Sequence, residues 1–179
     1  MSKSDGRVVL LLRAVNLGAT NKVPMAQLRK LLAAHGAAHV STLLASGNIL
    51  CMPPSNAASF TRLVEKLIAE EFGVTTTAIA RTAQQLRAAR QAFPFKIHDP
   101  KLCAISFLER KPPPAAITAL KREDFGQDQC AVIGDALHLR YAHGVHQSKI
   151  TTARLRRLLG TEGTARNIRT IDALIDQLA

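Results

Sequence analysis

The segment SNAASFTRLVEKLIAEEFG, residues 55–73, predicts the most regular helix of the chain. Its apolar side chains recur at the spacing of one helical face. Either Ser55 or Asn56 can cap the first turn, and Gly73 is suited to end the last one. The apolar positions are Phe60, Leu63, Val64, Leu67, Ile68 and Phe72. The segments on either side of this helix have the patterns of β-strands.

The first half of the chain, read outward from this helix, predicts the order strand, helix, strand, strand, helix, strand. A shorter helix begins at Pro24 and ends before Gly36. The segment 45–48 between two of the strands is suited to a hairpin turn. The predicted strands are Val8–Asn16, Val40–Leu44, Ile49–Met52 and Val74–Ala80. This β-α-β-β-α-β order is the ferredoxin-like arrangement.

The second half of the chain restates this order incompletely. Thr82 and Gln85 form a capping box for a connecting helix, and Pro94 and Pro100 then bracket an irregular connection. Thr164 opens a last helix, and no closing strand is predicted. The other predicted elements are strands at Leu102–Leu108, Cys130–Ile133 and Ala136–Tyr141 and helices at Ala115–Lys121 and Lys149–Leu159.

These patterns predict an α+β fold of two ferredoxin-like (α/β-plait) units packed together, with antiparallel sheets covered by helices. The first domain is predicted over residues 1–81 and the second, with its C-terminal helix, over 102–179. A helix and linker over 82–101 connect the two.

Composition favours a cytoplasmic globular protein. The chain has 179 residues, of which 47% are apolar, and no apolar run approaches the roughly 18–20 residues of a membrane span. The polar start and the short run that follows it do not resemble a signal peptide. Cys51, Cys103 and Cys130 lie far apart in apolar stretches, which predicts small buried side chains rather than a disulfide framework.

The formal net charge of +11 makes nucleic acid an alternative partner, because Lys and Arg neutralise phosphates. The densest basic group lies in residues 149–169, where Glu162 is the opposing acid. Aromatic residues are only 4% of the chain and Trp is absent, so few side chains can stack on bases. The basic residues of this group are Lys149, Arg154, Arg156, Arg157, Arg166 and Arg169. Nucleic acid binding is therefore not favoured.

The stretch LLRAVNLG, residues 11–18, places polar groups at the exit of the first strand. Arg13 lies within a predicted buried strand, so its guanidinium needs a carboxylate, backbone carbonyls or a ligand. The small-residue loop from Asn16 through Asn21 to Lys22 can present backbone N–H groups to an anion. An ordinary strand-to-helix connection is the alternative for this loop.

Two further polar motifs have both a structural and a functional interpretation. Ser46, Gly47 and Asn48 suit a tight hairpin, and they line a site only if the hairpin curls toward Arg13. The stretch TARN, residues 164–167, puts Arg166 and Asn167 in the first turn of the predicted last helix. Free N–H groups and a guanidinium favour an anion there, whereas Thr164 as a simple N-cap is the alternative.

The sequence predicts no metal site and identifies no cofactor. His143 and His146 lie in one loop, but no Cys pair or second ligand motif accompanies them. The G-x-S-x-G pattern of a serine nucleophile is also absent.

Three ordered motifs resemble the DUF1697 family of bacterial proteins of unknown function. They are the stretch Leu11–Met25, the Ser46–Asn48 triplet and the stretch Thr164–Thr170. The resemblance implies two α/β-plait domains and supplies no reaction, cofactor or substrate. Ala14 replaces the family's usual Gly, at a position where a close backbone approach is expected. Ile168 replaces its usual Trp, which removes any stacking role there.

The favoured hypothesis is a binding protein or small enzyme for an anionic (phosphorylated) small molecule held in a cleft between the two domains. The alternatives are a nucleic-acid-binding module that uses residues 149–169 and a structural or interaction protein without a ligand. The candidate ligand-binding residues are Arg13, Asn16, Asn21, Lys22, Ser46, Gly47, Asn48, Arg166 and Asn167.

Overall fold

The computed structural model describes residues 6–179, and the chain divides into two compact units. The first unit runs to Leu86 and takes in Leu174–Ala179, and the second is Arg87–Ala173. Each unit contains a four-stranded antiparallel sheet, which confirms the predicted α+β class. Within residues 6–179, no helix is long and apolar enough to span a bilayer.

The first unit has the predicted order of elements, and its sheet has the strand order β2-β3-β1-β4. Helices α1 and α2 pack against the sheet face that carries Val8, Leu10 and Leu12, and together they form an apolar core. The elements are β1 (Val8–Leu12), α1 (Met25–Ala34), β2 (Ala38–Leu43), β3 (Asn48–Met52), α2 (Ala57–Phe72), β4 (Ala78–Thr82) and α3 (Ala83–Gln91).

The long helix α2 begins and ends where the sequence predicts. The Asn56 side chain accepts a hydrogen bond from the Ser59 N–H at 2.9 Å, which satisfies one free donor of the first turn. Gly73 ends the helix in the left-handed conformation with φ +64°. The capping box of α3 is also confirmed, because Thr82 and Gln85 exchange hydrogen bonds of 2.9 and 3.2 Å.

The end of β1 and the start of β4 differ most from prediction, and the other strand ends of the first unit lie within two residues of it. β1 ends at Leu12 rather than Asn16, since Ala14 and Asn16 adopt left-handed backbone conformations that turn the chain off the sheet. β4 begins at Ala78 rather than Val74 because it pairs only with the shortened β1, from Leu12↔Ala78 to Val8↔Thr82. Arg13 is therefore a half-buried residue beyond the strand, not part of a buried strand.

The second unit repeats this architecture with the strand order β6-β7-β5-β8. Its helices α4 and α5 pack on one face of the sheet, and a short 3-10 helix, Val145–Gln147, precedes α5. The elements are β5 (Cys103–Leu108), α4 (Pro114–Lys121), β6 (Gln129–Ile133), β7 (Ala136–Arg140), α5 (Thr152–Leu159), β8 (Gly163–Asn167) and α6 (Ile168–Gln177).

The prediction that Thr164 opens the last helix, with no closing strand before it, is wrong. Residues Gly163–Asn167 form β8, which pairs with β5 from Leu108↔Gly163 to Ala104↔Asn167. The open edge of β5 binds this segment, and edge pairing overrides the local helix-cap pattern. The N-cap of α6 is Asn167, whose Oδ1 accepts from the Thr170 N–H at 2.8 Å.

The closing strand makes the two units equivalent position by position. In the first sheet, Leu10 on the central strand pairs with Ile49 and Ala80. In the second sheet, Ser106 on the central strand pairs with Leu137 and Ala165. By the same register Ala78 corresponds to Gly163, Arg81 to Arg166 and Leu50 to His138.

Candidate functional site

A cavity of about 570 Å³ lies in the second unit, where helix α5 covers the sheet. Its walls are mainly apolar and come from β5, β7, β8 and α5, with Leu137, Leu139 and Leu155 among them. Ligand pockets for small organic molecules typically measure roughly 300–1,000 Å³ and have such walls with a few polar groups. The cavity therefore has the size and composition of a small-molecule site.

Small side chains on the central and closing strands open this cavity. Ser106 lies at the centre of β5, is only 7% exposed and occupies the position that Leu10 fills in the first unit. Gly163 lies beside it, and a Cβ added there would come within 2.7 Å of the Ser106 Oγ. The equivalent position of the first unit is Ala78.

The covering helix is also shorter in the second unit. α2 has 16 residues and buries four apolar side chains, whereas α5 has 8 residues and buries Leu159 alone. At about 1.5 Å per residue, the deficit of eight residues removes about 12 Å of helix from the sheet face. The missing turns and the small strand residues together account for the unfilled space.

One end of the cavity carries hydrogen-bond donors, and we call Lys101, Tyr141 and Asn167 the donor end. Lys101 precedes β5, Tyr141 follows β7 and Asn167 ends β8, so the antiparallel register brings the three to one end of the sheet. The Tyr141 N–H donates to the Leu102 carbonyl at 2.8 Å, which places Tyr141 level with the start of β5. Thr151, the N-cap of α5, also lines the cavity.

The other end of the cavity is internally neutralised, and we call Arg156, Thr161 and Glu162 the paired end. The Arg156 Nη1 lies 3.0 Å from the Glu162 Oε1. The Thr161 hydroxyl donates to the Glu162 carbonyl at 3.3 Å. This end therefore offers little net charge to a ligand.

The Tyr141 hydroxyl remains protonated at neutral pH. Burial, with smaller contributions from Asp128 and Cys130, raises the pKa of Tyr141 to about 12. Within residues 6–179, neither the Tyr141 nor the Ser106 hydroxyl makes a side-chain hydrogen bond, although both residues are only 7% exposed. Both groups line the cavity, so they are available to a bound molecule.

The predicted polar loop from Asn16 to Lys22 lies in the first unit, where its side chains hydrogen-bond backbone groups. The Asn16 Nδ2 donates to the Val23 and Ala45 carbonyls, and its Oδ1 accepts from the Val23 N–H. Asn21 donates to the Ala14 carbonyl at 3.0 Å, and the Lys22 Nζ donates to the Gly18 carbonyl at 2.5 Å. These contacts hold the loop in shape and join it to the β2–β3 turn.

The triplet Ser46–Gly47–Asn48 shapes that turn. The Asn48 Nδ2 donates to the Leu43 carbonyl at 2.7 Å and to the Ser46 Oγ at 3.1 Å. Gly47 has φ +82°, and a Cβ there would lie 2.7 Å from side-chain atoms of both Leu12 and Val15. Glycine is therefore required for two separate reasons.

Ala14 adopts φ +53° and is exposed. The family's usual Gly at this position suits the left-handed conformation, so the reason for it is conformational rather than the close approach predicted above.

The side chains of the TARN stretch, residues 164–167, are divided between the two faces of β8. Asn167 faces the cavity, whereas Thr164 and Arg166 face the opposite side of the sheet. The Arg166 Nη1 donates to Thr164 Oγ1 and to the Ala165 carbonyl, both at 2.8 Å, and burial lowers its pKa to about 10. The four groups therefore do not share a helical turn.

Arg81 is the equivalent arginine of the first unit and was not predicted. It is 9% exposed, like Arg166, and its Nη1 also donates to the preceding carbonyl at 2.8 Å. The sequence contains an indication of this equivalence, because Ala80-Arg81-Thr82 and Ala165-Arg166-Asn167 have similar residues and lie at corresponding positions on the last strand of each sheet. Lys101, Ser106, Tyr141 and Gly163 were likewise missed, although Ser106 is the polar residue of an otherwise apolar strand.

The basic region 149–169 is partly neutralised by acidic residues outside it. Arg154 donates from its Nε and Nη2 to one carboxylate oxygen of Glu123 and stacks over the Phe125 ring at 4.5 Å. Lys149 lies 3.9 Å from an Asp124 carboxylate oxygen. With Arg156 paired and Arg166 buried, Arg157 and Arg169 remain as exposed cations of this group. The surface is thus less basic than the composition indicates.

In the described part of the chain, no group of three or more His, Cys, Asp or Glu side chains is placed to hold a metal ion. Cys51 and Cys103 are buried as predicted, and Cys130 is half-buried. Burial raises the pKa of the Cys51 and Cys130 thiols to about 11, so neither is a reactive thiolate at neutral pH.

The fold and cavity define a two-unit α+β protein with a small-molecule-sized cavity in its second unit. The chain belongs to the DUF1697 family, described as a protein of unknown function, whose model matches residues 6–138. The third motif of the resemblance, at 164–170, lies outside that match.

A conserved bacterial protein from Streptococcus pneumoniae, SP0830, has a similar solved structure, with 20% identity and a TM-score of 0.72. The alignment covers 97% of this chain and 98% of that one, and it shows a shared fold. No curated protein matches the chain.

Proposed function

We propose that the second unit binds a small organic molecule in the cavity beneath α5. The molecule has an apolar body, which the leucine walls contact, and a polar group, which the donor end binds. The proposal retains the predicted small-molecule partner. It places the binding site in the second unit instead of in the predicted cleft between the two domains. Of the residues first considered, Asn167 lines this cavity.

The observation that carries the proposal is Ser106 at a position whose counterpart is a fully buried leucine. Protein cores are close-packed, and truncating a buried leucine to a small side chain typically costs about 2–5 kcal/mol. The Ser106 hydroxyl faces the cavity and makes no hydrogen bond within residues 6–179, so no protein contact offsets the lost packing. A site that binds a ligand gives a reason for both costs, because the ligand fills the space and hydrogen-bonds the hydroxyl.

Two finer features of the protein belong to this proposal. We propose that each unit is a ferredoxin-like α/β plait, which the element order and the central β1 and β5 strands support. We also propose a cytoplasmic location, which the three free cysteines support.

The experiment fills the cavity and asks whether ligand response is lost. Ser106→Leu restores the residue of the first unit, and Ser55→Leu, at an exposed position, is the matched control. Hexanoate and hexanamide serve as probes, and the shift in melting temperature is the readout. We expect both probes to stabilise the wild type and Ser55→Leu but not Ser106→Leu. Equal shifts in all three proteins, or none in the wild type, would overturn the proposal.

A further inference from the structure

We infer that the ligand is a carboxylic acid whose carboxylate lies at the donor end and whose apolar body runs toward the paired end. The inference rests on the proposed function and specifies the class of molecule that the cavity takes. Four properties of the donor end support it: its position in the fold, the kind of hydrogen-bonding groups it offers, its charge and its contrast with the paired end.

The fold brings the donor end together from separate segments. β7 and β8 are both antiparallel to β5, so they end where β5 begins. Helix α5 follows the loop that leaves β7 at Tyr141 and ends before Thr161, so its N-terminal turn lies toward the same end. Thr151 and Thr152 of that turn line the cavity. A helix N-terminus carries partial positive charge and free N–H groups.

The polar groups at this end are donors. The Asn167 Oδ1 already accepts from the Thr170 N–H, which leaves the Nδ2 hydrogens for another acceptor. The Tyr141 hydroxyl, in a residue more than nine-tenths buried, has no partner within residues 6–179 and keeps its proton. The Ser106 hydroxyl lies further along the same face. An acceptor-rich group such as a carboxylate matches this set.

The donor end has one cationic side chain in its lining. Lys101 lines the cavity, and its ammonium group forms no ion pair with any residue in 6–179. Two carboxylates lie nearby, but neither lines the cavity. Asp99 accepts from the Lys101 backbone N–H at 2.9 Å, and Asp128 accepts from the Ala142 N–H and the Ser148 hydroxyl at 2.8 and 2.6 Å. Their oxygens are thus engaged with the backbone and with a loop.

The donor end fits a carboxylate better than a phosphate. It offers one ammonium group and neutral donors, whereas phosphate sites commonly use arginine, whose fork binds two oxygens at once. Among residues 6–179, the one arginine that lines the cavity is Arg156, at the paired end, and Glu162 neutralises it. Between the two ends, the leucine-rich walls of the described residues carry the neutral Ser106 hydroxyl and no charged group that would balance a phosphate dianion.

The test compares four probes of six carbons each that carry different head groups: hexanoate, hexanamide, hexylamine and hexyl phosphate. Because the chain has one Tyr and no Trp, intrinsic fluorescence reports on Tyr141 alone. We expect hexanoate to bind about tenfold more tightly than hexanamide, as expected for one charge-assisted hydrogen bond. Lys101→Met should remove that advantage without weakening hexanamide, and the exposed Lys121→Met is the control.

The outcomes separate this inference from the proposed function. Equal affinities for hexanoate and hexanamide, both abolished by Ser106→Leu, would overturn the carboxylate and leave the cavity a binding site. Tighter binding of hexyl phosphate than of hexanoate would assign the site to phosphate esters and overturn the inference. Failure of all four probes to bind would overturn both.

Discussion

The two units of this protein have the same strand order but use the covered face of the sheet differently. In the first unit, Leu10 and the four buried residues of α2 fill the space between sheet and helices. In the second unit, Ser106, Gly163 and the short α5 leave a cavity of about 570 Å³. The comparison shows that the second repeat keeps the fold with less packing on this face, and we propose that a ligand site is the reason.

The polar signatures follow the same division. Those of the first unit bind backbone carbonyls and shape loops, as Asn16 and Asn48 do. In the second unit, Asn167 both caps α6 and lines the cavity. The most recognisable motif of the chain is therefore a folding motif, and most of the residues that we propose bind a ligand belong to no motif.

The strongest test of this comparison exchanges the residues at the centre of the two sheets, Leu10 and Ser106. Leu10→Ser should lower the free energy of unfolding by about 4 kcal/mol, because it opens a void and buries a hydroxyl in a filled core. Ser106→Leu should be tolerated or stabilising, since it enters existing space. Urea denaturation of both variants measures the difference. Comparable losses in the two would show that Ser106 is packed as tightly as Leu10.

The second prediction concerns the opposite face, where His138 corresponds to Leu50. His138 is fully buried beside Phe93, with ring centroids 5.6 Å apart, and neither ring nitrogen has a partner among residues 6–179. Burial lowers its pKa from 6.5 to about 4. The unfolded chain therefore takes up a proton before the folded one does as the pH falls.

The resulting loss of stability is absent above about pH 6.5, grows as the pH falls and is complete below about pH 4. At about 1.4 kcal/mol per unit of pKa, it amounts to about 3 kcal/mol. His138→Leu should remove this component, which is read as the difference between the two proteins in unfolding free energy across that pH range. Parallel pH profiles would refute it.

The third prediction concerns Gly163. Gly163→Ala should destabilise the protein by about 2 kcal/mol, because its Cβ would meet the Phe107 carbonyl oxygen at 2.8 Å as well as the Ser106 Oγ. Gly73→Ala is the control for conformational strain alone, since nothing lies within 4 Å of its Cβ. If thermal unfolding shows Gly163→Ala to be as stable as the wild type, the closing strand does not approach β5 as described.

The smallest predicted effect is a gain in the first unit. Ala14 has φ +53°, a conformation that costs an L-residue about 1–2 kcal/mol. Ala14→Gly should therefore stabilise the protein by about 0.5–1 kcal/mol after the added flexibility of the unfolded chain is subtracted. Ala19→Gly in the same loop should bring no gain. Chemical denaturation compares the two, and equal effects would remove the conformational explanation.

Most of the fold was predictable because local patterns and packing agree. Local pattern and sheet packing specify the same helices in three places: the apolar face of α2, its Asn56 cap and the Thr82–Gln85 capping box of α3. β8 was not predictable from local pattern, because Thr164 and Asn167 are both good helix caps and only pairing with β5 selects the strand. The shortening of β1 likewise depends on left-handed residues that are not glycine.

The candidate site was less predictable than the fold. Lys101, Ser106 and Tyr141 lie on three different elements, and only the register of the folded sheet brings them to one face. Asn167 was selected for a different reason, as part of a helical turn that does not form. A comparison of the two halves at equivalent positions would have exposed Ser106 opposite Leu10, but it requires the closing strand to be known.

Fluorescence of Tyr141 during a hexanoate titration tests the central claim most directly. The second unit should show a saturable change in tyrosine emission in the wild type, and Ser106→Leu, which gives this face the residue of the first unit, should show none. A response that Ser106→Leu leaves unchanged, or no response in the wild type, would contradict the claim that the second unit has exchanged core packing for a ligand site.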